Sequence, residues 1–263
     1  MPFVTLPDVD LFYEESGSGS ALLYVGGTGS DLRNAPSPLR MPFFTGFRGV
    51  AFDHRGLGQS VPRSPNAQPT MADFAHDANA LVDHLGIDTF SLVGVSFGGM
   101  VAQEIALRAP ERVEKLVLMC TSSGGAGGSS GPLHEIYRHE PQIRDRELAA
   151  LIDSRAGIDP DVDAFLALIA SNRPPLVVTE GLLRQLDARA HHDTWDRLAN
   201  LTMPTLIAAG RFDPMAPLVN SEALHRAIPG STLRTYDGGH PFFYQDRQAF
   251  VDVAAFLTAD QRR

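Results

Sequence analysis

One serine of this chain stands where it could act as a nucleophile. Ser96 is the centre of a Gly-x-Ser-x-Gly motif, residues 94–98. The apolar run 90–95 before it predicts a buried strand, and an Ala-rich helical pattern begins directly after it. Glycines at both ends of the motif let the strand and the helix approach closely, which would present the hydroxyl on a sharp turn. The start of the helix also offers free N–H groups to a developing negative charge.

A serine hydroxyl is a poor nucleophile unless a base and an orienting carboxylate accompany it. In open parallel sheets, reactive groups gather beyond the carboxyl ends of the strands. Asp213 follows the predicted strand 204–210, and His240 follows the predicted strand 232–236. We therefore expect Ser96, Asp213 and His240 to meet at one edge of a sheet. Asp237 is a rival for the carboxylate, but it is disfavoured because it is so close in sequence to His240.

Strand and helix patterns alternate along most of the chain. This alternation predicts an α/β fold, a doubly wound and mostly parallel sheet of about eight strands with helices on both faces. One helix is expected to begin at Thr70 and to end at Gly86, and another to end near Ala109. The predicted strands are 4–6, 10–15, 21–25, 49–53, 90–95, 113–120, 204–210 and 232–236.

The alternation stops after the sixth predicted strand. Residues 122–131 are almost all glycine and serine, a composition that predicts a mobile linker. The following segment reads as mainly helical, with only 176–178 ambiguous. We therefore predict a core formed by residues 1–131 and 198–263, with residues 132–197 inserted as a helical cap that moves relative to the core.

Composition excludes several classes of function. Apolar residues make up 43% and charged residues 20%, which is the balance of a globular chain. A net charge of −9 without a basic cluster argues against nucleic acid and anionic membranes as partners. A single cysteine, Cys120, excludes an internal disulfide and fits a reducing compartment. With neither a signal peptide nor a membrane span in the sequence, the expected location is the cytoplasm.

Four motifs occur together and in order: the serine turn 94–98, the segment 53–60 (Asp-His-Arg-Gly-Leu-Gly-Gln-Ser), the turn 210–213, and the pair Gly239-His240. On these motifs the sequence resembles α/β-hydrolases of the small-cap type, a family that includes esterases, enol-lactonases and haloperoxidase-like enzymes. The resemblance covers essentially the whole chain. It implies that Ser96 is the nucleophile, that His240 is the general base and then the acid, and that Asp213 orients His240.

The same resemblance implies an oxyanion hole formed by two backbone N–H groups. One belongs to Phe97, directly after the nucleophile, and the other to Thr28 in the Gly-rich loop 26–30. This chain departs from the family there, because Gly26 occupies the place of the usual histidine. Since the donor is a backbone group, the departure need not abolish activity.

Three apolar residues are candidates for substrate binding. Met215 and Phe242 stand beside residues of the predicted triad, so that pocket lining and core packing are about equally expected of them. Trp195 either lines a pocket or holds the cap together. The resemblance implies neither a metal nor an organic cofactor.

Several histidines have simpler interpretations. His54 follows an early strand and is expected to serve turn and loop packing. The pair His191-His192 is disfavoured as a metal site, because adjacent residues of a helix point apart and no matching carboxylate motif is present.

The expected function is hydrolysis of a small, fairly apolar carboxylic ester or lactone through an acyl-enzyme. One alternative keeps the triad but hydrolyses a C–C bond or carries out cofactor-free perhydrolysis. A further alternative is a ligand receptor with vestigial turnover. The expected partner is a small-molecule substrate, and a homodimer is left open.

Overall fold

The computed structural model describes residues 2–34, 36–64, 67–171 and 177–259. Within these ranges, nine strands form one sheet with the order β1-β2-β4-β3-β6-β7-β8-β9, and β5 pairs with β2. The strands are β1 Phe3–Thr5, β2 Val9–Ser16, β3 Ala21–Val25, β4 Arg48–Phe52, β5 Val61–Pro62, β6 Phe90–Val95, β7 Val113–Met119, β8 Thr205–Gly210 and β9 Thr232–Tyr236.

The predicted fold class is confirmed. Strands β3, β4 and β6 to β9 pair in parallel, whereas β1, β2 and β5 form an antiparallel edge. The two-residue strand β5 was not predicted. With β5 counted, the helical insertion follows β7, which corresponds to the sixth predicted strand, 113–120.

Helices lie between most of the parallel strands. The helices are α1 Met71–His84, α2 Phe97–Arg108, α3 Leu133–Ile136, α4 Pro141–Ala150, α5 Pro160–Ser171, α6 Glu180–Ala190, α7 Leu218–Ala227, α8 Phe242–Gln245 and α9 Gln248–Thr258. None of the helices in the described ranges combines the length and the apolar character that crossing a bilayer would require. Helices α3 to α6 occupy the predicted cap segment. The division of the chain into core and cap stays a prediction, and Leu176 of the ambiguous stretch lies outside the described residues.

The continuous apolar runs of the strands are explained by burial on both faces of the sheet. Along β3, Leu23 and Val25 pack into a core that includes α1 and α2. The alternate residues Leu22 and Tyr24 pack into a second core, which includes α9 and the 3-10 turn Pro42–Phe44. The sheet is thereby held between two helical layers, and its carboxyl edge remains as the place where loops converge.

Two glycines permit the turn that follows β6. A Cβ atom on Gly94 would lie 2.4 Å from the carbonyl oxygen of Gly98, and one on Gly98 would lie 2.0 Å from that of Val25. Both distances are far inside van der Waals contact with backbone atoms that cannot rotate away. The close approach expected from the sequence motif is therefore present, and it includes the end of β3 as well as the helix.

The Gly/Ser-rich segment 122–131 is packed into the fold, contrary to the mobile linker expected from its composition. Ser122 and Ser123 are fully buried, and the carbonyl of Ser123 accepts a 2.8 Å hydrogen bond from the Thr194 amide. A Cβ atom on Gly127 would lie 2.3 Å from the Trp195 ring. The small residues serve close packing between the insertion and the core, which argues against this segment as a hinge.

Replacement of Gly98 by alanine tests the close approach. Helix propensity alone would make Gly98→Ala stabilising by about 1 kcal/mol. The clash with the Val25 carbonyl should reverse the sign and lower the free energy of unfolding by about 3 kcal/mol, measured by urea denaturation. Gly86→Ala is the control, because no atom lies within 4 Å of its added Cβ; its positive φ should cost only about 1 kcal/mol. A Gly98→Ala protein as stable as the wild type would contradict this packing.

Candidate active site

Ser96 stands at the junction of β6 and α2 in a backbone conformation that is rare for a residue with a side chain. Its φ is +56° and its ψ is −117°. The carbonyl of Ser96 is held by the amide of Gly99 at 2.9 Å and by the hydroxyl of Thr121 at 2.8 Å. Such strain persists only where the surroundings impose it, and it occurs preferentially at functional sites. The turn leaves the hydroxyl of Ser96 at the carboxyl edge of the sheet.

The three side chains expected from the sequence lie in contact at this edge. The Oγ atom of Ser96 is 2.9 Å from Nε2 of His240, and Nδ1 of His240 is 2.8 Å from Oδ2 of Asp213. The other Asp213 oxygen, Oδ1, accepts the amides of Met215 and Ala216 at 2.8 and 2.9 Å. An ionised carboxylate can only accept hydrogen bonds, so Nδ1 of His240 is the donor to Asp213 and carries the imidazole proton. Nε2 is then the acceptor that faces the serine hydroxyl.

The rival carboxylate lies elsewhere. Asp237 is two-thirds exposed and pairs with Arg155 at 3.2 Å. Asp213, by contrast, has a fully buried side chain. The structure therefore joins His240 to Asp213.

The loop 26–30 runs directly beside Ser96. A Cβ atom on Gly27 would lie 3.5 Å from the Cβ of Ser96. Among the described residues, no acceptor binds the amide N–H of Thr28 or of Phe97. The Phe97 amide is at the first position of α2, where a helix has no acceptor of its own for it. Both amides are therefore free to donate to an additional group.

His54 holds this loop from below. Its Nε2 lies 2.9 Å from the carbonyl oxygen of Gly26, the residue that replaces the usual histidine of the family. The ring is surrounded by the edges and faces of Phe52, Phe74 and Phe97, with centroid distances of 5.1 to 5.6 Å. Burial lowers the pKa of His54 to about 4, so that the ring is neutral at pH 7. The sequence predicted loop packing for His54, and the loop that it supports is the one beside Ser96.

Apolar side chains from α3, α4 and α6 pack around Met215. This cluster comprises Leu57, Leu133, Leu182, Leu186 and Met215, with Tyr137, Leu148 and Leu151 at its edge. Helix α6 also contacts the loop beside Ser96, because the Gly29 amide donates a 2.9 Å hydrogen bond to Gln185. Met215 thus lies between Asp213 and the insertion, and its role in substrate binding stays a prediction.

The other two candidates for substrate binding are placed differently. Phe242 is fully buried in the second core, where its ring stacks on Tyr236 at a centroid distance of 5.2 Å. Trp195 packs over Gly127 and against the first core. The expectation that Phe242 binds substrate is corrected, because its side chain fills space inside the core. Trp195 is only half-buried, and its role stays a prediction.

A short segment of the insertion, residues 152–155, supports the loops that carry Asp213 and His240. The carbonyl of Ile152 accepts the amide of His240 at 2.6 Å. The amide of Ser154 donates to the carbonyl of Phe212 at 2.9 Å. Two backbone hydrogen bonds therefore tie this segment to residues on either side of the Asp213–His240 contact.

Side chains reinforce the same connection. The Asp153 carboxylate accepts hydrogen bonds from Nε and Nη2 of Arg155 at 3.0 and 2.9 Å. It also accepts one from the side-chain amide Nε2 of Gln245 at 2.8 Å. Burial raises the pKa of Asp153, but these hydrogen bonds outweigh burial and hold it below its usual value. Gln245 in turn accepts the amide of Gly239, next to His240, at 2.8 Å. No pattern in the sequence indicates this network, because its members are polar residues from distant parts of the chain with no shared spacing.

Metal ligation finds no support in the described ranges, where no three histidine, cysteine, aspartate or glutamate side chains form a group that could hold an ion. His191 is exposed and lies 2.8 Å from the carbonyl of Asp187, whereas His192 is buried. One side chain of the pair is therefore exposed and the other buried.

Comparisons with known proteins agree with the fold. A family model described as alpha/beta hydrolase fold matches residues 22–144. The "Putative carbamate hydrolase RutD" of Cronobacter sakazakii is 32% identical over 203 aligned positions, and the match covers 73% of each chain. A "Non-heme haloperoxidase" of Rhodococcus erythropolis is 29% identical over 262 aligned positions, and the match covers 90% of this chain and 92% of that protein.

A solved structure extends the comparison to the whole fold. The enol-lactonase from Burkholderia xenovorans LB400 is similar with a TM-score of 0.81 and 22% identity, covering 98% of this chain and all of that chain. The chain belongs to the α/β hydrolase fold family, as the resemblance of its motifs predicted, and it is a hydrolase.

The buried neutral His54 predicts a pH-dependent contribution to stability. An unfolded histidine with a pKa of 6.5 binds a proton that native His54, with a pKa of about 4, does not. Stability is therefore present above pH 6.5 and is lost as the pH falls towards 4, by about 3 kcal/mol for this group. His54→Phe removes the titration, so the variant should lose about 3 kcal/mol less than the wild type between pH 7 and pH 4, measured by urea denaturation.

The exposed His84 provides the control for this comparison. His84→Phe should keep the pH dependence of the wild type. The interpretation of His54 as a buried neutral ring is wrong if His54→Phe keeps that dependence too.

Proposed function

We propose that this protein is a serine hydrolase that cleaves a small, fairly apolar carboxylic ester or lactone through an acyl-enzyme. One observation carries the proposal: the unbroken chain of hydrogen bonds from Ser96 through His240 to Asp213, which begins on a strained turn. A nucleophile, a base within reach of it and a buried carboxylate behind the base are the parts that acyl transfer requires.

In the first half of the reaction, Ser96 Oγ attacks the substrate carbonyl carbon and His240 Nε2 takes its proton. The imidazolium that forms is stabilised by the buried Asp213 carboxylate, whose remaining oxygen is already held by two amides. The carbonyl oxygen becomes an oxyanion that accepts hydrogen bonds from the free amide N–H groups of Phe97 and Thr28. His240 then gives its proton to the leaving alcohol, which stays attached if the substrate is a lactone.

In the second half, water enters and the roles repeat. His240 Nε2 takes a proton from the water, the hydroxide attacks the acyl carbon, and the same two amides receive the oxyanion. When the C–O bond to Ser96 breaks, His240 returns the proton to Oγ. A carboxylic acid is released, and the enzyme is restored without any metal or cofactor being consumed.

The preference for apolar substrates follows from the walls of the site. Leucines of α3 and α6 pack against Met215, two residues after Asp213. Helix α6 contacts the loop 26–30 through Gln185, which would bring these side chains over the reacting carbonyl. We therefore propose that residues 132–197 form a cap that supplies the substrate pocket. The buried, unpaired Cys120 fits the cytoplasmic location expected from the sequence.

A relative favours perhydrolysis as the second candidate. The similar protein of Rhodococcus erythropolis, which matches this chain over most of its length, is named a haloperoxidase. The same three side chains would serve if hydrogen peroxide instead of water attacked the acyl-enzyme. Peroxide-dependent formation of a peracid from an ester, faster than ester hydrolysis, would favour this candidate.

Labelling by a fluorophosphonate probe tests whether Ser96 is activated. The wild type should be labelled, and Ser96→Ala should not. Hydrolysis of p-nitrophenyl esters should fall about a millionfold in kcat in Ser96→Ala, because the three residues act as a unit. Near-full esterase activity in Ser96→Ala would refute the assignment, and a wild type that resists labelling would favour a ligand receptor with vestigial turnover.

The identity of the carboxylate is tested by two matched substitutions. Asp213→Asn should lower kcat about 10⁴-fold, because the amide favours the wrong imidazole tautomer. Asp237→Asn breaks only an exposed ion pair and should change kcat by less than about twofold. Steady-state kinetics on one p-nitrophenyl ester compares both, and the reverse ranking would reassign the carboxylate to Asp237.

A further inference from the structure

A cavity of about 220 Å³ lies between the end of α6 and the segment 122–132. Several polar side chains are among its walls. They include Arg189, His192, His134, Ser122 and Ser130, with Met100 of α2 as an apolar neighbour. None of these residues takes part in the contacts between Ser96, His240 and Asp213.

Arg189 is the charged group of this cavity, and most of its donors are unused. Its side chain is buried, with the whole residue only 5% exposed. Nη1 donates to the carbonyl of Gly131 at 2.7 Å. Nε and Nη2 are buried and have no hydrogen-bond partner among the described residues. The guanidinium is thus buried without an anionic partner among the described residues.

The unused edge is the one that binds carboxylates elsewhere in this chain. In Arg55, Nε and Nη2 donate to the two oxygens of Asp77 at 2.7 and 2.6 Å. In Arg155, the same two nitrogens donate to Asp153. Arg189 lines the cavity, and this edge of its guanidinium has no acceptor among the described residues. A carboxylate that reached this edge would find the fork that the other two arginines use.

No internal acid compensates for this charge. Burial lowers the pKa of Arg189 to about 10, and among the described residues only the phenol of Tyr137 acts against that shift. Arg189 therefore remains charged at pH 7 without a carboxylate of the described chain beside it. A water molecule could accept its hydrogen bonds but could not neutralise it.

The rest of the cavity limits the charge of a ligand. Burial lowers the pKa of His192 to about 4, so that this ring is neutral at pH 7. Neither of its nitrogens has a partner in good hydrogen-bond geometry, although the Ser122 backbone lies close enough to favour its protonated form. Nδ1 of His134 is also buried and unpartnered. One full positive charge beside a neutral imidazole matches a monoanion better than a dianion.

We propose that this cavity binds a small carboxylate that pairs with the guanidinium of Arg189, with the neutral His192 and with His134 as hydrogen-bonding neighbours. The ligand is small, because 220 Å³ accommodates a short-chain acid but not a drug-sized molecule. The carboxylate could belong to the substrate, at a point remote from the scissile bond, or to a separate small acid. The binding site itself does not depend on the hydrolysis proposed above.

Binding is measured with sodium butyrate and with neutral butyramide at constant ionic strength, by isothermal titration calorimetry. The Ser96→Ala protein is used, so that the measurement is independent of catalysis. Butyrate should bind and butyramide should bind at least about tenfold more weakly, because only butyrate pairs with the charge. Arg189→Met on the same background should weaken butyrate binding about ten- to a hundredfold. The exposed arginine of α4 supplies the control, and Arg146→Met should bind as the parent does.

Arg189→Lys is a more conservative second variant, which is measured in case Arg189→Met does not fold. It keeps the charge but loses the fork, so it should bind butyrate less tightly than the parent and more tightly than Arg189→Met. The melting transition of each variant without ligand shows whether it is folded. Failure of butyrate to bind, or equal affinity in the parent and a folded Arg189→Met protein, would mean that the cavity holds only water and would overturn the proposal.

Steady-state kinetics on protein that retains Ser96 distinguish a carboxylate of the substrate from a separate small acid. The p-nitrophenyl ester of glutaric acid is compared with its methyl-capped neutral counterpart. If the substrate carries the carboxylate, the free acid should have the higher kcat/KM, and Arg189→Met should abolish this preference. If a separate acid is the ligand, no preference should appear while butyrate still binds. Absence of any ester hydrolysis would contradict the proposed function and would leave the binding result in force.

Discussion

The arrangement around Ser96 depends on three backbone segments that approach each other with no side-chain atoms between them. The end of β3, the end of β6 and the first turn of α2 meet at Gly94 and Gly98, where any Cβ atom would overlap a carbonyl or a Cα atom. This contact forces Ser96 to a positive φ and aims its hydroxyl away from the sheet. It also brings the loop 26–30, which continues from β3, to the side of the serine. One steric constraint thus fixes both the position of the hydroxyl and the position of the amides next to it.

The remaining geometry is supplied by groups that never touch the reacting position. His54 fixes the carbonyl of Gly26 at the entrance of the loop, and the three phenylalanine rings around it keep it neutral and in place. On the opposite side, residues 152–155 hold the loops of Asp213 and His240 by backbone hydrogen bonds. Preorganisation of this kind is what allows short hydrogen bonds to be made without reorganisation during a reaction.

Sequence reasoning succeeded where a local pattern determines position. Strand ends converge at one edge of a parallel sheet, so the placement of Ser96, Asp213 and His240 after three strands was sufficient to bring them together. It failed where long-range packing decides. The glycines of 122–131 were taken for mobility, although they accommodate Trp195 and Asn220. Phe242, for which pocket lining and core packing were equally expected, lies in the core, and nothing in its neighbourhood in the sequence distinguishes a core ring from a lining one. The free donors of Arg189 are visible only in three dimensions, because an arginine at a helix end usually finds solvent.

The hydrogen bonds of Ile152 and Ser154 have a consequence for how such an insertion can change over evolutionary time. They use main-chain atoms, so neither bond requires a particular side chain at these two positions. Sequence drift there is tolerable as far as these bonds are concerned, whereas a deletion or an added residue would shift the register and release both loops. Grafting the insertion of a relative onto this core would therefore succeed only if the donor keeps the chain length across 152–155.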